Sequence, residues 1–345
     1  MAAARGRRLS SAAMRLPLAL LALVVAIAVA LAACRSSRDP LPIELAPAPT
    51  GESIVIAGDR FDVGAPVVLW SDIGGYDAYK TTAHFGRASE RDGAPKDGDL
   101  RYAPGRTDKD GRVRVPPRSR DILALQGAVD MFVVHYDVCG TSRQCFKVLH
   151  DLRGLSVHFM IDVDGTIYQT MDLVDTAWHA SQVNWRSVGV ELANIGSYDL
   201  KDKKGLELLE EWYPKDEHGP FIEFPESLGD PGVRTKDFFA RPARVERIVG
   251  PMQGDLRAQY DYTPEQYDSL VRLVAVLCRT LPRLQSDAPR DDGGRVLTSR
   301  MTEEHEARFR GIVGHHHVSE QKQDPGPAFD WEVFLARVNA RLQAK

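Results

Sequence analysis

Three short apolar runs constrain the fold of this chain more than any other feature: MFVVHY at 131–136, SVGVELAN at 187–194 and GIVGH at 311–315. Each is too short for a stable helix and rich in residues that suit a pleated surface, so each reads as a strand, MFVVHY as a buried one. IVIAG and APVVLW near the start read as two more short strands, and LSVHFMIDVDGTIYQTM alternates and turns at Asp-Gly, as a hairpin does. Helical spacing appears in SRQCFKVLHDLRG (142–154), which stops at Gly154. It is clearest in TPEQYDSLVRLVAVLCRTLPRL (263–284), with Thr263 as the cap and Glu265 in the first turn. FDWEVFLARVNARL closes the chain as an amphipathic helix. Strands and helices interleave without a strict βαβ repeat. The fold class expected is α/β: a mixed central β-sheet flanked by helices, in a single catalytic domain with insertions.

The first 34 of the 345 residues are a different material. Arg5, Arg7, Arg8 and Arg15 supply a positive start, and LPLALLALVVAIAVALAAC follows, with no acidic residue before Asp39. This reads as a secretion signal over 1–33, with an uncleaved membrane anchor as the alternative. Leu31-Ala32-Ala33-Cys34 resembles a bacterial lipobox, which makes Cys34 the lipidation site and the mature N-terminus. Arg35 follows where an inner-membrane protein would carry Asp, so the expected location is the periplasmic face of the outer membrane. Residues 34–52 are Pro-, Ala- and Ser-rich and read as a tether, 53–128 as an N-terminal extension, and 129–345 as the catalytic domain. Within it, 200–262 looks like an irregular insertion. With 43% hydrophobic residues a real core is available, and no basic block beyond the first residues suggests a nucleic-acid partner.

Two segments carry candidate chemistry. In VVHYDVCG, His135 ends an apolar strand; in VGHHHVSEQKQDPGPAFDW, His315 ends another and Asp324 follows nine residues later. Zinc takes imidazole nitrogen and carboxylate oxygen readily, and a catalytic site keeps one position open for water. His316 and His317 stand beside His315 as competing ligands. Cys139 and Cys145, in CGTSRQC, are close enough to close a small loop in an oxidising compartment, or to remain two thiols. Cys278 reads as a core thiol, His158 as a hydrogen-bonded core histidine, and His84, His150, His218 and His305 as surface residues.

Five segments in order give these residues a shared context: VVHYD, LSVHFMIDVDGTIYQ, TAWHAS, SVGVELAN and GHHHV…KQDPGPAFDW. From about 131 to 331 the chain resembles the N-acetylmuramoyl-L-alanine amidases of the amidase-2 and peptidoglycan recognition protein family. The resemblance implies Zn2+ held by His135, His315 and Asp324, Glu191 as general base and Lys322 as oxyanion stabiliser. It further implies substrate contacts from His179, Trp178 and Asn184, and a Cys139–Cys145 bridge bracing His135. The implied reaction is hydrolysis of the amide between N-acetylmuramic acid and L-alanine in peptidoglycan or muropeptides, for wall turnover or recycling. The alternatives are a non-catalytic peptidoglycan-binding module and a zinc peptidase acting within the stem peptide. HASQ departs from the family's usual glycine after His-Ala, and 53–128 and 200–262 lie outside the resemblance.

Overall fold

The computed structural model describes residues 51–86 and 94–344; the expected signal segment, the expected lipidation site Cys34 and the expected tether before Gly51 lie outside them. Strands β1 (Gly51–Ile56) and β2 (Asp59–Leu69) form the first hairpin. Helix α1 (Ile122–Ala128), capped by the Asp121 carboxylate, leads into β3 (Met131–Tyr136). Helix α2 (Ser142–Phe146), capped by Thr141, widens into a π-helical stretch, Lys147–Leu152. Then come β4 (Phe159–Ile161), β5 (Ile167–Gln169) and β6 (Ser187–Leu192). Helix α3 (Lys203–Trp212) and the hairpin β7 (Ile248–Met252) and β8 (Asp255–Gln259) follow. Helix α4 (Pro264–Thr280), β9 (Gly311–Gly314) and α5 (Trp331–Gln343) complete the chain. Pro225–Gly229 groups apart from the remaining described residues and holds one 3₁₀ turn, Glu226–Leu228.

Seven strands make the central sheet in the order β1-β2-β5-β4-β6-β3-β9. β4, β6, β3 and β9 run parallel, while β5 pairs antiparallel with β4 and β2 parallel with β5. The sheet is mixed, as the sequence pattern requires. Side chains alternate across it. Phe132 and Val134 of β3, Val188, Val190 and Leu192 of β6, and Ile312 of β9 join the large core built with α4 and α5. The opposite face takes Met131, Val133 and Val313, and at the strand ends it carries the polar residues of the site. α4 holds its place through a capping box: Thr263 Oγ1 accepts from the Gln266 N–H, and the Gln266 side chain accepts from the Thr263 N–H.

Residues 53–128, read as an N-terminal extension, contribute β2, which pairs with β5 and extends the sheet. Two expectations change here. Residues 200–262 are not irregular throughout. The Lys/Glu density of α3 conceals a one-sided apolar stripe that buries Leu209 and Trp212 behind the Asp202 cap. His150, read as a surface residue, is fully buried. It stacks on Phe146, with Nδ1 2.7 Å from Asp151 Oδ1 and Nε2 2.9 Å from the Lys80 carbonyl. Among the described residues no helix is long and apolar enough to cross a membrane.

Candidate active site

Parallel register assembles the site. Glu191 of β6 lies directly beside His135 of β3, and Gly314 of β9 beside Val134, so His315 emerges next to His135 at the same sheet edge. This is the carboxyl end of the parallel strands, where open α/β sheets place ligands. Asp324 returns on the loop after His317 and closes a triangle. His135 Nδ1 lies 3.0 Å from His315 Nδ1 and 2.8 Å from Asp324 Oδ2, and His315 Nδ1 lies 3.1 Å from the same oxygen. All three residues are buried, and among the described residues this is the one group of three or more such side chains able to hold a metal ion.

The donor set fits zinc. Two imidazole nitrogens and one carboxylate oxygen are its ordinary ligands, and a zinc tetrahedron with bonds of about 2.0 Å has edges of about 3.3 Å. The three atoms stand a few tenths of an ångström inside that. Protonation agrees. Burial, with the charge of His315 adding to it, holds the His135 imidazole down to about 4 against the pull of Asp324. Burial pushes the Asp324 carboxyl up, but His315 and His135 more than offset it and keep it well below the usual carboxylate range. A neutral imidazole and an ionised carboxylate are the forms a cation needs.

His316 and His317 do not compete. His316 Nδ1 faces the Asp324 carbonyl at 2.9 Å and Nε2 the Leu297 carbonyl at 3.2 Å. His317 Nδ1 accepts from the Gly314 N–H at 2.9 Å, and its Nε2 donates to the Leu297 carbonyl at 2.7 Å. Their rings support the ligand loop from behind. A Cβ at Gly314 would stand 2.5 Å from Pro325 and 2.6 Å from the His316 ring, so only glycine lets the loop close this tightly.

Glu191 Oε2 is buried and has no hydrogen-bond partner among the described residues. Burial, reinforced by the charges of Asp324 and Asp137, pushes its carboxyl well above the ordinary range, with Lys322 and Arg153 pulling the other way. Half-buried Lys322 acts by charge on both Glu191 and His135. The β7–β8 hairpin steadies its loop: Gln253 Nε2 lies 2.9 Å from the His316 and Ser319 carbonyls and 3.1 Å from that of Lys322.

Residues 125–327 match the Amidase_2 family model, N-acetylmuramoyl-L-alanine amidase. The chain belongs to this amidase family. Among solved structures it is similar to the endolysin N-acetylmuramoyl-L-alanine amidase LysCS from Clostridium intestinale URNW, at 18% identity over 62% of this chain and 86% of that one, TM-score 0.32. A selenomethionine derivative of AmpD matches at 18% over 70% of this chain and 97% of that one, TM-score 0.30. AmiD from E. coli, solved with anhydro-N-acetylmuramic acid-L-Ala-D-gamma-Glu-L-Lys, matches at 17% over 61% of this chain and 57% of that one, TM-score 0.33. No curated protein sequence matches the chain.

Behind the ligands the amidase has a second layer of polar contacts. His135 Nε2 lies 3.0 Å from His179 Nδ1, and His179 Nε2 lies 3.1 Å from Ser187 Oγ. If His135 Nδ1 serves a cation, its proton sits on Nε2 and donates to His179, which passes a second hydrogen bond to Ser187. His179 is therefore placed against the outer nitrogen of a ligand. Asn184 Oδ1 accepts from the backbone N–H of His179 and Ala180, at 3.2 and 2.6 Å, and so fixes the turn that carries the ring. Half-buried Trp178 is held at its backbone by Ser156.

Cys139 and Cys145 are not bonded to each other in the amidase; both are buried thiols in the cluster around Phe146, Met160 and Tyr168. The brace expected of a disulfide is made by Asp137 instead, whose Oδ1 accepts from the N–H groups of Cys139, Gly140 and Asn194 at 2.9, 2.9 and 3.1 Å. A carboxylate with three backbone donors ties the loop after His135 to the end of β6 without a covalent link. Cys278 is half-buried against the main core, and burial pushes its thiol up to about 12.

Sequence reasoning missed one further support. Arg106, fully buried, donates to the carbonyls of Leu173, Trp185 and Ser187 at 2.8, 3.1 and 2.9 Å. It thereby clamps the segment bearing His179 between β5 and β6. Nothing in RYAPGRT distinguishes this arginine from a surface one, because all its partners are distant in sequence. His158, fully buried, accepts at Nδ1 from the Gly189 N–H (3.2 Å) and donates from Nε2 to the Asp175 carbonyl (3.2 Å). It is the core histidine the strand pattern implied.

Proposed function

We propose that this amidase hydrolyses, with zinc, the amide joining the lactyl group of N-acetylmuramic acid to the L-alanine of the stem peptide, and that it serves wall turnover or recycling. The observation that carries the reading is the buried His135–His315–Asp324 triangle with Glu191 on the adjacent strand, its Oε2 without a hydrogen-bond partner among the described residues. Zinc held by these three ligands would supply Lewis acidity toward water and the scissile carbonyl. Glu191 takes the proton of the attacking water and returns it to the departing alanine nitrogen. The C–N bond breaks, and the products are a lactyl carboxylate and a free amine. A carboxylate whose proton affinity is raised by burial suits both halves of that transfer near neutral pH. The Lys322 ammonium compensates the negative charge that grows on the carbonyl oxygen. His179 and Asn184 hold His135 in its productive orientation, and Trp178 offers an aromatic face to substrate.

The anchor reading rests on the lipobox-like segment ending at Cys34 and places the enzyme at the periplasmic face of the outer membrane, beside its polymer. Product analysis tests the chemistry. Zinc-loaded protein given defined muropeptides should release stem peptide with a free L-alanine terminus, stop when treated with a chelator, and resume on zinc addition. Fragments cut inside the stem peptide would replace this reading with a peptidase.

A further inference from the structure

A cavity lies outside the metal site, and most of its wall precedes the residues that match the family. It encloses about 610 Å³ between the end of β2, the segment carrying Tyr102, the stretch at Arg118–Arg120 and a floor at Asp172–Asp175. Trp70, Tyr79 and Tyr102 form an aromatic wall, with ring centroids 5.8 Å apart for Trp70 and Tyr79 and 5.1 Å apart for Tyr79 and Tyr102.

Both signs of charge line this cavity, Asp172 and Asp175 at the floor and Arg118 and Arg120 in the wall, but only the acids are engaged. Asp172 accepts from the N–H groups of Ala57, Gly58 and Val174 at 2.9, 2.8 and 3.2 Å. Asp175 accepts from the Gly105 N–H at 2.7 Å and the Tyr79 hydroxyl at 2.9 Å. By contrast, the Trp70 indole N–H, the Tyr102 hydroxyl and the exposed guanidinium groups of Arg118 and Arg120 make no hydrogen bond or ion pair among the described residues. The unengaged groups of the cavity are therefore donors, two of them guanidinium groups, beside aromatic rings. The ligand class this recognises is a ring-bearing, acceptor-rich anion, with a carboxylate for the two arginines.

The cavity also lies close to the chemistry. Tyr102 pairs with Ala177, two residues before His179. From Asp175 on the floor to His179 is four residues, so their Cα atoms lie within about 14 Å of each other. Hydrolysis of the lactyl amide leaves a carboxylate on each muramic residue already cut. We propose that this cavity binds a denuded muramic residue, a carboxylated saccharide, and so holds the glycan strand it has processed while a neighbouring unit reaches the metal site. The inference rests on the lactyl-amide reading above, because only that cleavage creates the carboxylate.

Calorimetric titration of the zinc-loaded full chain tests it. The probe is a denuded oligosaccharide of alternating N-acetylglucosamine and N-acetylmuramic acid with free lactyl carboxylates; its control is a neutral N-acetylglucosamine oligomer of equal length. The wild type should bind the carboxylated probe at least tenfold more tightly than the neutral one. The double substitution Arg118→Ala/Arg120→Ala should remove that preference, and Trp70→Ala should weaken binding about tenfold, with zinc content unchanged in each. Equal affinity for both probes in the wild type overturns the proposal without recourse to any variant. Undiminished binding by the double variant also overturns it, since the carboxylate would then be held at the metal site. Loss of the lactyl-amide reading would register separately, as absence of L-alanine-headed peptide in the muropeptide digest.

Discussion

Replacing Gly189 with alanine should weaken zinc binding by 10- to 100-fold through a residue that touches no metal ligand. Gly189 lies in the middle of β6, opposite Val133, with the strand paired on both sides beyond it, so its backbone has little room to retreat. A Cβ built there stands 2.5 Å from His179 Nδ1, 2.7 Å from Cε1 and 2.9 Å from Cγ. Ordinary contact is about 3.4 Å or more, so the ring must retreat by roughly 0.9 Å. The His135 Nε2–His179 Nδ1 separation of 3.0 Å would then pass the limit of a hydrogen bond. Outer hydrogen bonds to ligating histidines are worth about 10- to 100-fold in metal affinity, or about 1.4–2.8 kcal/mol. The assay is equilibrium competition for zinc against a chromophoric chelator. His179→Ala should show a similar loss, and adding Gly189→Ala to it should cost little more, because both changes remove the same bond. Affinity of Gly189→Ala within about twofold of wild type, or full additivity of the two losses, would refute the reasoning.

Glu191→Gln should retain zinc and reduce turnover on muropeptides by about 10²- to 10⁴-fold, read as kcat with metal content measured alongside. Arg106→Leu leaves the carbonyls of Leu173, Trp185 and Ser187 without their donor. At about 1–3 kcal/mol for each stranded acceptor, the thermal midpoint should fall by about 6 °C or more, measured by calorimetry. His158 gives a pH dependence. Burial, with Arg106 nearby adding to the effect, lowers its imidazole to about 3 in the folded chain, against 6.5 for the free side chain. Between those values the unfolded state binds the extra proton. Its contribution to stability is therefore complete above about pH 6.5 and is lost as the pH falls toward 3. In metal-free protein His158→Gln should make the decline in thermal midpoint from pH 7 to pH 4 shallower. An unchanged slope would assign the acid sensitivity to other groups.

The elements most legible in the sequence were those whose evidence is local. MFVVHY carries its own strand propensity, and Thr263 with Glu265 marks a helix start within three residues, so β3 and the start of α4 fall where the pattern put them. Helix α3 was missed because its apolar stripe is only one residue wide among lysines and glutamates. The ligands were legible as residue types at strand ends and through a family resemblance, whereas the choice of His315 over its two neighbours was not. That choice depends on which rings find backbone carbonyls, and Leu297, which receives both His316 and His317, lies about twenty residues away. Cysteine spacing likewise shows that a loop can close, not that it does: Cys139 and Cys145 are not bridged, and Asp137 accepts from the loop's backbone.

Residue by residue, the sequence determined which segments become strands and helices and which side chains are chemically able to hold a cation or move a proton, because propensity, capping and ligand chemistry belong to the residue and its near neighbours. Tertiary structure decided which of those side chains meet. His135 and Asp324 are 189 residues apart and come within 2.8 Å only because β3, β6 and β9 run parallel in one register. The same pairing turns Glu191 toward the site and Val190 toward the core. It also brings His179 against His135 and buries Arg106 beneath the segment that carries His179. These are long-range contacts selected by packing.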